Sequence, residues 1–172
     1  MRNILTVVCC LCLCSIAALG QKEPAKGPAM SDQKFVDFAA QTDMLEANLG
    51  QLAQSAAGTL QVKEYAQMLV TDHTGDFNQL SGVAHEAGLS VPGAIDAENN
   101  KTMIGPFEKL KGATFDHRYI EDMIAGHEKG IGVYKKEAAE AHNPALKTYA
   151  ENALPVLEKH LAAAIKLGKA RP

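Results

Sequence analysis

The chain has 172 residues, 17 Lys and Arg against 20 Asp and Glu, a formal charge of −3, and four cysteines. That length suffices for one domain with a core of its own. The mildly acidic balance contains no basic block, so nucleic acid is not an expected partner.

The first segment, MRNILTVVCCLCLCSIAALG, carries one basic residue, Arg2, and then an apolar run from Ile4 to Leu19. It ends in Ala18-Leu19-Gly20, a small-x-small pattern that predicts a secretory signal peptide over residues 1–20, with Gln21 as the first mature residue. A membrane anchor is the alternative. Its apolar run, roughly 16 residues, is shorter than the ~20 a spanning helix needs. Lipid attachment is disfavoured because Leu11 and Leu13 precede Cys12 and Cys14, where a small residue is required. All four cysteines, Cys9, Cys10, Cys12 and Cys14, lie within this segment. A processed chain would therefore hold no disulfide and no thiolate ligand, and losing Arg2 would take its charge from −3 to −4. The predicted location is periplasmic or extracellular, with no membrane span in the mature form.

Residues 21–30, QKEPAKGPAM, carry two prolines and no apolar period, and read as a tether. The domain is predicted over residues 31–170. A first helix starts after Ser31, a suitable N-cap, with a stripe at Phe35, Phe38, Thr42, Leu45, Leu49, Leu52 and Ala56. Glu46 lies on the flank it shares with Ala39 and Ala53. Gly58 and Thr59 break and recap the chain. The second stripe is Val62, Ala66, Leu69, His73, Asp76, Leu80, Val83 and Ala87, stopped by Gly88. A long connection follows, roughly Leu89 to Gly112, with a short helix around Met103, Phe107 and Leu110 interrupted near Gly105-Pro106. Such a connection is long enough to cross the length of a bundle. The third long stripe is Ile120, Ile124, His127, Ile131, Tyr134, Ala138 and Ala141. Asn143-Pro144 caps the fourth, at Leu146, Ala150, Ala153, Leu157, His160, Ala164 and Leu167, with Pro155 inside it. The fold predicted is all-α, a four-helix bundle of ferritin-like type with a short extra helix between helices two and three.

Three of the six histidines, His73, His127 and His160, occupy seam positions on three different helices. At 1.5 Å per residue they lie roughly 18–23 Å into their helices, and Glu46 is near the middle of the first. A residue near the middle of its helix lies near the middle of the bundle whichever way the helix runs. Four helices thus send one metal-competent side chain each to a common layer. Three imidazoles and a carboxylate suit a single divalent ion such as Zn, Fe, Mn or Cu. Burying them without partners would cost several kcal/mol in total, which a metal offsets. Asp72, Asp76, Tyr119 and Asp122 are candidates to orient the rings. The contrasting reading is a structural network of hydrogen bonds, His73 to Glu46 and His127 to His160, in a cell-envelope interaction or stress-protection module. His85, His117 and His142 lie near helix ends and carry no such expectation, and Met44, Met68, Met103 and Met123 read as core filler.

The segments FVDFAAQTDMLEANLGQLA, VKEYAQMLVTDHT, FDHRYIEDMIAGHE and LPVLEKHL resemble a family of exported bacterial proteins, the domain of unknown function DUF4142. The resemblance spans about Phe35 to Leu167. It implies a ferritin-like fold and marks Glu46, Asp72, His73, Asp116, Tyr119, His127, Pro155 and His160 as recurring residues. It implies no activity. Di-iron bundles place a Glu three residues before His on two of their helices. Here Val70, Ile124 and Leu157 stand three before His73, His127 and His160, so one metal in a histidine-rich site is expected rather than two bridged irons. An enzymatic role would need an open coordination position and a path to it, and the sequence displays neither.

Overall fold

The computed structural model describes residues 30–170. The predicted signal segment and most of the tether lie outside them. Four long helices form: α1 (Asp32–Ala56), α2 (Leu60–Glu86), α4 (Gly112–Glu140) and α5 (Pro144–Lys169). The starts of α1, α2 and α5 follow side-chain chemistry. Ser31 Oγ accepts from the Lys34 N–H, Thr59 Oγ1 from Val62, and Asn143 Oδ1 from Ala145 and Leu146. Gly88 ends α2 at φ 71°, where the Leu89 N–H reaches back to the Ala84 carbonyl at 2.8 Å. The short helix of the connection, α3 (Ala97–Asn99), runs into a π turn (Asn100–Ile104) and a 3-10 turn (Gly105–Phe107). The change of winding falls at the expected Gly105-Pro106.

The hairpins α1/α2 and α4/α5 pair face to face, α1 beside α4 and α2 beside α5. Their relative direction is fixed at the turn between α1 and α2. Ala57 bridges Gly112, and Asp116 of α4 accepts from the N–H groups of Gly58 (2.8 Å) and Thr59 (3.0 Å) and from Thr59 Oγ1 (2.8 Å). So α4 begins at the end where α1 finishes, and the connection crosses the full bundle. It climbs α1 as it does so: Gln33 donates to the Ser90 carbonyl and Gln41 to the Ala94 carbonyl. The topology is up-down-down-up with one crossover, the ferritin-like arrangement.

The apolar core is divided. One cluster gathers Leu49, Ala66, Leu69, Phe107, Phe115, Tyr119 and Ala164 toward the α1/α2 turn. The other gathers Phe35, Leu80, Tyr134, Leu146, Tyr149 and Leu157 toward the opposite end. Between them lie buried Asp43, Glu46, His73, His127 and His160. The face of α1 differs from the predicted stripe. Its buried residues include Ala39, Asp43, Glu46, Gly50 and Ala53, whereas Phe38, Thr42, Leu45 and Leu52 are half-buried. Glu46 therefore sits in the middle of the inward face, not on its flank. The small residues explain the shift. A Cβ on Gly50 would come within 2.7 Å of Val70 and 2.9 Å of the Ala66 carbonyl oxygen, so α1 and α2 approach closely along that line. Ile124 and Leu167, expected inward, are half-buried, and Met103, expected to fill core, is exposed.

Candidate metal centre

Each of α2, α4 and α5 presents one imidazole to the polar layer, and the rings meet. Ring centroids are 5.9 Å apart for His73 and His127, and 5.3 Å apart for the other two pairs. One ligand atom from each of the three residues lies within 4.8 Å of the others. Nitrogens held about 2.0–2.1 Å from one ion are about 3–4 Å apart, so a small inward closure would complete the set.

What fixes the rings is the partner behind each one. His73 Nδ1 is 2.8 Å from Asp43 Oδ1. His127 Nδ1 is 2.9 Å from the Met123 carbonyl oxygen, which can only accept, so Nδ1 carries the hydrogen there. His160 Nε2 is 2.9 Å from Asp72 Oδ2. The remaining nitrogens, His73 Nε2, His127 Nε2 and His160 Nδ1, are buried and make no hydrogen bond within the protein. Glu46 Oε2 lies 2.9 Å from His73 Nε2 and 3.4 Å from His127 Nε2, ion-pair distances that fall outside hydrogen-bonding geometry. Ligating histidines characteristically donate the second ring N–H to a carboxylate or a carbonyl. All three do so here, or stand at the distance for it.

The charges follow the same arrangement. Burial alone would lower the pKa of His73, but the charge of Glu46 and the bond to Asp43 overcome it and raise the imidazole to about 10. Without metal the arrangement favours the protonated His73 ring, placed between Glu46 and Asp43. Burial raises the Glu46 carboxyl, yet the charges of His73 and His127 outweigh it and leave the group below its ordinary range. Burial pushes Asp43 up, opposed by His73. Burial also lowers His160, to about 4, with Asp72 opposing and the other two imidazoles adding to the effect, so this ring is neutral near pH 7.

The four residues expected to orient the rings divide. Asp72 does hold His160. Asp76 instead accepts from the Tyr149 hydroxyl at 2.6 Å. Asp122 pairs with Arg118 at 2.9 Å. The Tyr119 hydroxyl is buried without a hydrogen-bonding partner, and its ring stacks on Phe115. Asp43 is the orienting carboxylate the sequence reading missed. Its signal was the spacing Asp43-x-x-Glu46, two acids one turn apart on the face that small residues open. Asp116, a recurring residue by resemblance, caps α2 and stands apart from the cluster.

Two grooves reach the layer between the hairpins. One, about 510 Å³, lies between α2 and α5 and is lined by Asp72, His73, Asp76, Val156, Lys159 and His160, among others. The second, about 350 Å³, lies between α1 and α4 beneath the crossover, with Phe38, Leu45, Met103 and Met123 leading to Glu46.

A family model for the domain of unknown function DUF4142 matches residues 17–167. The chain belongs to that family. No curated protein matches it. Two solved structures have a similar fold, both of CopM. The one in the Cu(II)-bound form shares 12% identity at a TM-score of 0.69, covering 83% of this chain and 98% of that one. The Ag-bound form shares 14% identity at a TM-score of 0.64, covering 81% and 96%. Among the described residues no helix is long and apolar enough to cross a membrane.

Proposed function

We propose that this protein binds one divalent metal ion through His73, His127 and His160, with Glu46 as the fourth ligand, and that Cu(II) is the ion it takes in preference. The observation that carries this reading is the convergence of three buried ring nitrogens and Glu46, each nitrogen on a ring whose opposite nitrogen is tied. A structural network leaves one Glu46 oxygen to serve both His73 Nε2 and His127 Nε2 and strands His160 Nδ1, at roughly 1–3 kcal/mol for the stranded atom. A metal ion satisfies all three and Glu46 together. Imidazole and carboxylate suit Cu(II), which stands at the top of the affinity order for divalent ions at such sites. The copper and silver forms of CopM on a similar fold support that choice.

In this reading Asp43, Asp72 and the Met123 carbonyl hold the ligand rings, and the metal occupies the place of the proton that His73 Nε2 carries in its absence. The two core clusters above and below exclude water. Binding and retention of the ion, rather than turnover of a substrate, is the activity proposed. The domain of residues 31–170 would act outside the cytoplasm after removal of residues 1–20. N-terminal sequencing of the protein from an expressing cell should then begin at Gln21.

The deciding experiment is metal analysis of untagged protein, followed by titration of the metal-free form with Cu(II), Zn(II), Mn(II) and Fe(II). One equivalent of tightly held ion, lost in His73→Ala, His127→Ala and His160→Ala, is expected. Full-length folded protein with no stoichiometric metal would return the layer to a structural role.

A further inference from the structure

The polar layer can be reached through two grooves of different chemistry, and they need not serve the same purpose. The α2/α5 groove exposes carboxylates. Asp72 is about 30% exposed at its side chain and is bonded to His160. Asp76, one helical turn on, lines the same wall. Lys159 is the cation of the opposite wall. At the floor are His73 and His160, each buried to 2% exposure or less; His160 Nδ1 makes no hydrogen bond, and His73 Nε2 faces Glu46. The α1/α4 groove is mostly apolar, along Phe38, Leu45, Leu49 and Met123, with the crossover residues Met103 and Asn99 over it; its carboxylates at the rim, Asp37 and Asp122, are engaged by Gln33 and Arg118, and neither bonds a ring of the cluster.

We propose that the α2/α5 groove is the path by which a divalent cation reaches and leaves the buried histidines, with Asp72 and Asp76 as the carboxylates that first capture it. This inference rests on the proposed metal site. A hydrated cation is stabilised by carboxylates at the mouth and penalised by an apolar passage. Asp72 is placed to hand it on, since its Oδ2 is one hydrogen bond, 2.9 Å, from a ring of the cluster. Helix geometry keeps the passage open. Gly75 on α2 has nothing within 4 Å of the position a Cβ would take. Val156 on α5 is 41% exposed at the groove rather than packed across it. The α1/α4 groove then admits no ions, although it ends on Glu46.

The prediction is kinetic, which separates it from the site itself. A bulky residue that narrows a path slows association and dissociation by the same factor and leaves the equilibrium unchanged. The test is stopped-flow mixing of metal-free full chain with Cu(II), read by its absorbance in the complex, together with dissociation into excess chelator. Val156→Trp should slow both rates several-fold at constant Kd. Met103→Trp, placed in the other groove, should change neither. Asp76→Asn keeps an oxygen for the Tyr149 hydroxyl but removes a charge. It should lower the association rate about threefold at low salt, and the difference should shrink as salt is raised. If Met103→Trp is the variant that slows exchange, the path is the wrong one. If neither tryptophan changes the rates, ions enter through larger opening of the bundle and the groove is no path. If the wild-type chain takes up no Cu(II) at equilibrium, the site itself falls and the path with it. Stoichiometric binding with unaltered kinetics removes the path alone.

Discussion

Asp43 Oδ1 stands 2.8 Å from His73 Nδ1, and the same ring's Nε2 stands 2.9 Å from Glu46 Oε2. Two carboxylates one turn apart on α1 thus grip opposite edges of one imidazole on α2. This fixes the plane of the ring and leaves Nε2 facing Glu46. Partners of this kind typically contribute 10- to 100-fold to metal affinity. Asp43→Asn, which keeps shape but not charge, is therefore expected to weaken Cu(II) binding by about 10-fold or more. A chelator-competition titration measures it. Unchanged affinity would mean that Asp43 serves packing alone.

The metal should stabilise the fold in proportion to its occupancy. A ligand present at 100 times its Kd adds about 2.7 kcal/mol when it binds only the folded state. Calorimetry with and without Cu(II) should show a higher Tm for the wild type, and no shift for His160→Ala. His85→Ala should keep the full shift, because His85 lies exposed near the end of α2. Equal shifts in His85→Ala and His160→Ala would place the ion elsewhere.

The pH dependence of the metal-free protein follows from His73. Its pKa is raised to about 10 in the folded chain by Glu46 and Asp43 against the cost of burial, while the unfolded value is about 6.5. Stability from this pairing is therefore fully present below about 6.5, declines as the pH rises above it, and is gone above about 10. His160 works in the opposite sense, because burial lowers it to about 4. Its contribution is present above about 6.5 and is lost as the pH falls toward 4. Denaturant titrations from pH 6.5 to 10 should show falling stability in the wild type, with a shallower slope in His73→Ala. Metal competes with the His73 proton, so Cu(II) affinity should keep rising with pH well beyond 6.5 rather than level off there.

The fold was legible because apolar spacing and caps are local signals. Ser31, Thr59, Gly88 and Asn143 mark helix ends by chemistry that needs no tertiary partner. The convergence of His73, His127 and His160 was legible for a related reason, since mid-helix residues of a bundle share a layer. The face of α1 was misread by a small rotation, because its large residues, Phe38, Leu45 and Leu52, flank the seam while alanines, Gly50 and two acids fill it. Hydrophobicity could not show that, because the deciding term is the closeness of α1 to α2 at Gly50. The crossover was open in the sequence because direction is set by Asp116 and Gly112, far from the α1/α2 turn along the chain. The partners of Asp76 and Asp122 were equally out of reach, since Tyr149 is 73 residues from Asp76 and the Arg118 pairing depends on which side α4 exposes.

The core makes a plainer prediction. Leu49 is 2% exposed in the cluster beside the histidine layer. Leu49→Ala should destabilise the chain by about 2–5 kcal/mol, as a buried leucine replaced by alanine does. Leu167→Ala should cost less, because Leu167 is only half-buried against that cluster. Equal costs in urea unfolding would contradict the burial pattern.

Asp116 separates the recurring residues that build the fold from those that form the site. It is 2% exposed and accepts from two backbone N–H groups and a hydroxyl at the start of α2. Those N–H groups have no partner in a helix of their own, and the backbones of the two turns meet closely there. A Cβ on Gly58 would already come within 2.8 Å of the Gly112 backbone. Removing the carboxylate takes away three hydrogen bonds at the start of α2, at a cost of about 0.5–2 kcal/mol for a lost cap. Asp116→Ala should therefore lower Tm markedly, while the protein that remains folded still binds one Cu(II) with wild-type affinity. Asp43→Asn should instead lose Cu(II) affinity even at temperatures where it is fully folded. Calorimetry and metal titration on the two variants, run side by side, distinguish the roles. Loss of metal in Asp116→Ala at temperatures where it is fully folded would show that the α2 cap and the histidine layer are one unit.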